Sequence, residues 1–155
     1  MKILDTNHWV FGTLGTNDRA TRLLDEIERG ETLSAINAYM LQEALDAFDR
    51  TPGLTASERG EVKTLFLARL TRMAGLVEAP SSRDVSDSLL DEYRTHTRTQ
   101  LLARITGVQS KDVPIVVLAF EDRDREPTIL TNDAEFAAFS PSEYDLPELA
   151  LEHVD

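Results

Sequence analysis

Four acidic residues, Asp5, Glu43, Asp112 and Asp133, have the types and placement to do chemistry together. Asp5 ends the apolar run of Lys2-Ile3-Leu4-Asp5-Thr6-Asn7, and Asp133 ends Thr128-Ile129-Leu130-Thr131-Asn132-Asp133. Both runs read as strands, and in an open parallel sheet ligands bind outside the carboxyl ends of the strands. Glu43 shares a helical stripe with Ile36, Met40 and Ala47, all within about 60° at 100° per residue. Asp112 opens the last long helix. Two carboxylates about 4 Å apart repel by roughly 4 kcal/mol at an effective dielectric of 20. Four in one cleft therefore either take up protons or need a divalent cation. All-oxygen ligands favour magnesium or manganese over zinc. Such a cation lowers the pKa of bound water and stabilises charge on a phosphate under in-line attack. The chemistry implied is metal-dependent cleavage of a phosphodiester.

Each acid also has a plainer reading. Asp5 suits a turn after a strand, since Asp and Asn favour such positions, while Thr6 or Asn7 beside it would orient a bound cation. Glu43 on an apolar stripe needs a partner, because buried carboxylates are rarely unpaired, and an arginine would serve. Asp112 precedes Val113-Pro114 and suits a helix cap. Asp133-Ala134-Glu135-Phe136 reads as another cap. It is the conjunction that points to a site.

The elements that must position these residues alternate between short apolar strands and helices, the pattern of a parallel sheet covered on both faces. Strands are expected at about 2–5, 31–35, 75–79 and 128–132, with a weaker fifth near 143–148 crowded by Pro141 and Pro147. Helices are expected over 19–29, 36–50, 55–73, 83–106 and 112–123, with Asp18 capping the first of these and 83–106 the longest. Two helices between the second and third strands suggest a small helical cap on a single domain spanning residues 1–155.

At these residues the chain resembles the PIN-domain nucleases, especially the branch containing VapC-type toxins. Met1-Lys2-Ile3-Leu4-Asp5-Thr6-Asn7 is similar to that family's opening strand and first acid. Leu33-Ser34-Ala35-Ile36 leading to Gln42-Glu43, Ser110-Lys111-Asp112 before Ile115-Val116-Val117-Leu118-Ala119, and Ile129 to Phe136 resemble its later motifs in order. The resemblance implies an α/β, PIN-like three-layer fold, with a central parallel sheet of four to five strands flanked by helices. It implies an Mg2+- or Mn2+-dependent endoribonuclease of a type II toxin–antitoxin system, with Asp5, Glu43, Asp112 and Asp133 as catalytic metal ligands. Thr6, Asn7, Thr131, Asn132 and Glu135 would assist or touch substrate. A small antitoxin partner and a homodimer are also implied. Asn132 stands where the family often has a basic residue, and Pro114 replaces a usual small one. Arg94, Arg98, Lys111, Arg123 and Arg125 are candidates to hold RNA, or ordinary surface ion pairs. Trp9 and Phe11 would stack on bases or pack the first helix. The rival functions are a housekeeping RNA-processing nuclease, a non-catalytic RNA- or protein-binding domain, and a phosphotransferase of the haloacid dehalogenase type. The last would need an aspartate at Asn7 and a lysine beyond Lys111, and the sequence has neither.

Composition narrows the setting. Hydrophobic residues make up 41% of the chain, enough for one core, and no apolar run is long enough for a membrane span. There are no cysteines, which fits a reducing cytoplasm, and His8, His96 and His153 lack zinc spacing. Acidic residues outnumber basic ones 28 to 16, for a net charge of −12 and a pI of about 4.6. Lys2, Lys63 and Lys111 are the only lysines. An acidic, lysine-poor surface resembles that of salt-adapted proteins, where high net charge maintains solubility. At 1 M salt the Debye length is about 3 Å, so this surface would repel RNA only at contact. The expected outcome is unfolding or aggregation as salt is withdrawn, read by circular dichroism and light scattering. An unchanged fold in dilute buffer would remove the salt-adapted reading.

Overall fold

The computed structural model describes residues 1–80 and 89–155. Strand β1 (Lys2–Leu4) leads into α1 (Thr6–Leu14) and α2 (Asp18–Arg29), followed by β2 (Ser34–Ala35), α3 (Ala38–Asp49) and α4 (Ala56–Leu70). Then come β3 (Leu76–Glu78), α5 (Leu89–Thr95), α6 (Thr97–Thr106) and α7 (Val113–Glu121). The chain ends with β4 (Thr128–Thr131), α8 (Ala134–Ala137) and β5 (Ala150–His153). Strand β4 lies between β1 and β5, and both pairings are parallel. A second parallel pair, β2 with β3, meets the first where the Lys2 amide donates to the Leu33 carbonyl at 2.8 Å. The α/β architecture expected from the sequence is therefore present, with a parallel sheet under helices.

The strands are short but buried. Ile3, Leu4, Ile129 and Leu130 lie at 0–2% exposure beneath Leu24, Ile27, Met40, Ile115 and Leu118. Such a core suits a sheet covered on both faces, whose strands read as continuous apolar runs rather than alternating ones. The two helices between β2 and β3 pack as expected, and α4 contributes one fully buried residue, Phe66, edge-on to Trp9 and Phe48. Among the described residues no helix is long and apolar enough to cross a membrane.

Several sequence expectations shift. Asn17, not Asp18, caps α2, accepting the Ala20 amide through its side chain. The long helix expected over 83–106 is two helices broken at His96, whose ring accepts the Arg98 amide and caps α6; residues 83–88 lie outside the described residues. The helix expected over 112–123 stops at Glu121 and gives way to a 3-10 turn at Arg123–Arg125. The fifth strand is not at 143–148. A 3-10 turn occupies Pro141–Tyr144, and pairing to β4 begins only at Ala150, beyond Pro147. Proline cannot donate to a ladder, so pairing waits until the chain is past it.

Helix α1, capped by Asp5, lies close against α2. Gly12 permits this: a Cβ there would sit 2.6 Å from Leu24 Cδ1 and 2.8 Å from the Ala20 carbonyl oxygen. Gly12→Ala should lower stability by about 1–2 kcal/mol, the overpacking cost exceeding the helix-propensity gain. Urea unfolding measures this, and a variant as stable as the parent would show that α1 and α2 can part freely.

Candidate active site

Parallel pairing of β1 with β4 sets Leu4 opposite Leu130, so Asp5 and Thr131 leave the sheet side by side. The Asp5 amide donates to the Leu130 carbonyl at 2.9 Å. Its carboxylate, 6% exposed, is held on both oxygens. Oδ1 accepts the His8 amide at 3.1 Å, which caps α1, and the His8 ring Nδ1 at 2.6 Å. Oδ2 accepts the Thr131 hydroxyl at 2.6 Å and the Asn132 amide at 3.2 Å. Burial works to raise this carboxyl, but the His8 hydrogen bond and attraction, the Thr131 hydroxyl and the His8 amide together outweigh it. Asp5 is held below its ordinary value and stays ionised.

Thr131 couples Asp5 to Asp133. Its buried hydroxyl accepts the Asp133 amide at 3.0 Å while donating to Asp5. Asp133 Oδ1 accepts the Glu135 and Phe136 amides at 2.9 and 3.1 Å, so the capping role read from the sequence is observed. Asn7 donates to the Asn132 side-chain carbonyl at 2.9 Å, tying the start of α1 to the same segment. Glu135 is exposed, and its carboxylate has no partner among the described residues.

Glu43 reaches from α3 to the start of α1, accepting the Thr6 hydroxyl at 2.5 Å, and takes Arg94 Nη2 of α5 at 3.2 Å. The arginine partner that an inward glutamate demands is present. Arg94 also donates from Nε to the Tyr39 hydroxyl at 2.9 Å and lies 5.6 Å from that ring's centroid. Burial is the largest influence pushing the Tyr39 phenol up to about 12; Glu43 and Asp112 push the same way and Arg94 opposes.

Asp112 differs from the others. It occupies the cap position of α7 with helical backbone angles, and its side chain makes no capping bond. Capping, the plainer sequence reading, does not occur. Burial foremost, then Glu43, Asp133 and Asp5 together, push this carboxyl up to about 6, with Lys111 opposing. The four acids thus sense one another across one end of the sheet. As the side chains stand, no group of three or more His, Asp or Glu among the described residues encloses a cation. Asp5, Glu43 and Asp133 are each turned to local partners. The donor set is all carboxylate, Asp112 is uncommitted, and only the Arg94 ion pair engages Glu43 with charge; that chemistry fits a hard divalent ion.

Sequence reasoning missed His8 and Tyr39. Asp5-x-x-His8 was a usable signal for the first, since the third residue after a capping Asp sits where its side chain can fold back. Tyr39 precedes Glu43 by one helical turn, which places them on one face. Trp9 is fully buried against Phe66, and a stacking role for it is excluded. Arg125 is paired with Asp122 at 2.6 Å. Beside Asp112 and Asp133 opens a cavity of about 200 Å³ that reaches Phe139 and Tyr144.

No family model and no curated protein matches the sequence. A solved structure does: a chain of VapBC2 from Rickettsia felis, crystallised with a DNA fragment from their promoter. The likeness covers 99% of this chain and 98% of that one, with a TM-score of 0.57 at 19% identity. The fold is PIN-like. The PIN-like sheet accounts for the convergence, because its parallel strands deliver Asp5 and Asp133 to the same end.

Asp112 has no hydrogen bond to lose, so Asp112→Asn isolates the electrostatic cost of its charge. Its folded pKa lies above the unfolded value, so the native state binds the extra proton and wild-type stability falls as pH rises from about 4 to 6. In chelator, Asp112→Asn should gain about 2–3 kcal/mol at pH 7.5 and nothing near pH 4. Urea titrations at the two pH values decide it; an equal effect at both would show that neither burial nor the neighbouring acids raise the Asp112 carboxyl.

Proposed function

We propose that this chain is an Mg2+- or Mn2+-dependent endoribonuclease, acting as a single domain and as the toxin of a type II toxin–antitoxin pair. The observation that carries this reading is Asp112, an uncapped carboxylate pushed up to about 6 by burial first and by three other acids at the carboxyl end of a parallel sheet. Such a placement is expensive unless a cation or proton relieves it. The likeness to a VapBC2 chain supports the toxin role and a small antitoxin partner, and a homodimer is consistent with that role.

Asp5, Glu43, Asp112 and Asp133 would hold the cation, whose contribution when bound is Lewis-acid stabilisation of charge at the phosphate. The chain's own residues do the rest. His8, Thr131 and Asn132 fix the Asp5 carboxylate in one orientation. Thr131 passes that constraint to the backbone of Asp133. Glu43 would turn from Arg94 to help hold the cation, and Arg94, anchored through Nε on the Tyr39 hydroxyl, would then offer its remaining guanidinium donors to phosphate oxygens.

A second reading, a domain that binds RNA or protein without cutting, is favoured by the Glu43–Arg94 pair, which neutralises one acid internally. Cleavage of structured RNA at high salt with manganese, with and without chelator, separates the two. Wild-type protein should cut only with metal, and Asp112→Asn and Asp5→Asn should each lose roughly 100-fold or more, on the scale of removing one charge-stabilising group. Cutting that persists in Asp112→Asn would overturn the site; wild-type protein that binds manganese and cuts nothing would favour the binding-only reading.

A further inference from the structure

We propose that the cavity beside Asp112 and Asp133 is a subsite for one amino-bearing nucleobase (cytosine, adenine or guanine) of the strand being cut. The assignment rests on the ribonuclease reading and extends it to base preference. The cavity, about 200 Å³, lies between the turn joining α6 to α7 and the segment following α8. Asp112 and Asp133 belong both to it and to the acid cluster, so a base seated there is adjacent to the phosphate at the cluster.

Its lining selects the ligand class. It contains four carboxylates, Asp112, Asp133, Glu135 and Glu143, and no basic side chain among the described residues. A phosphate would be repelled. The Glu143 carboxylate has no hydrogen-bond or ion-pair partner among the described residues, and neither does the Gln109 side-chain amide. An unpaired carboxylate accepts the exocyclic amine of cytosine, and adenine and guanine also carry such amines. Uracil offers two carbonyl acceptors to the same acids and only one N–H. Gln109 supplies both a donor and an acceptor, which a base edge uses and a simple cation does not. Phe139 and Tyr144 line one side as a stacked pair, centroids 6.1 Å apart at 29°, and Tyr144 is 37% exposed. Bases of single strands are read by stacking on such rings and by hydrogen bonds to their Watson–Crick edges.

The test titrates cytidine, adenosine, guanosine and uridine into the full chain in chelator, followed by protein NMR shifts. The three amino-bearing nucleosides should bind at least roughly fivefold more tightly than uridine. Glu143→Gln, at an exposed residue outside the acid cluster, should abolish that preference. Tyr144→Ala should weaken all four by roughly tenfold. Equal binding of uridine, no binding of any nucleoside, or stronger Glu143-dependent binding of N-acetylarginine amide would each overturn the assignment, the last in favour of a cationic side chain. A second arm maps cut sites on single-stranded RNA of random sequence with manganese. In the wild type the cuts should fall beside cytosine, adenine or guanine, and in Glu143→Gln the remaining cuts should be spread over all four bases. Cleavage without nucleoside selectivity defeats the base pocket alone; selectivity without any cleavage by the wild type defeats the nuclease reading and leaves the pocket standing.

Discussion

The carboxylate of Asp5 is the joint on which the site depends. It caps α1, takes the His8 ring, and reaches across to the Thr131 hydroxyl and the Asn132 amide at the end of β4. One buried charge therefore fastens the first helix, the first strand and the fourth strand at a common point. Its ionised state is favoured by these donors and by the attraction of His8, and charge-assisted hydrogen bonds of that kind are roughly twice as strong as neutral ones. Thr131 passes the constraint on to Asp133, whose amide it accepts.

Mutual repulsion among the four acids is met in four different ways. Asp5 is satisfied by hydrogen bonds, Glu43 by Arg94 and Thr6, and Asp133 by the amides of α8. Asp112 has no such partner, and its burial together with the other three charges appears there as a raised proton affinity. Three acids satisfied locally and one left without a partner is a coherent arrangement. It keeps the fold intact while leaving a single carboxylate poised toward whatever positive charge arrives. Arg94 is held twice, by the Tyr39 hydroxyl and by Glu43, so its anchor on Tyr39 does not depend on the ion pair.

Much of this was legible in the sequence. The apolar runs before Asp5 and Asp133 gave both strands, because strands buried on two faces need no alternation. Glu43 was conspicuous because a charge on an inward stripe conflicts with its surroundings. What escaped depended on tertiary contact. The pairing of His8 with Asp5 shows only once the turn closes, and the role of Tyr39 shows only when α5 brings Arg94 across. Asp112 was ambiguous for a local reason: residue type and Pro114 both favour a cap, and only the side-chain direction tells that none forms. The fifth strand, expected to be weak near 143–148 because Pro141 and Pro147 crowd it, starts instead at Ala150, past the proline that has no amide to give the ladder.

Parallel β5 lies against β4 as far as His153, whose ring contacts the Asn132 carbonyl, and the Val154 amide donates to the Thr131 carbonyl at 2.8 Å. Residues 153–155 thus leave the sheet at the same end as the four acids and brace the segment that presents Asp133. Any polypeptide joined after Asp155 begins beside the chemistry. A polyhistidine purification tag placed there would add imidazoles within reach of a carboxylate cluster, and metal titrations on such a protein would report the tag together with the site. The amino terminus is the better attachment point, since parallel strands start at the opposite end of the sheet and the Met1 ammonium contacts the Arg125 carbonyl there.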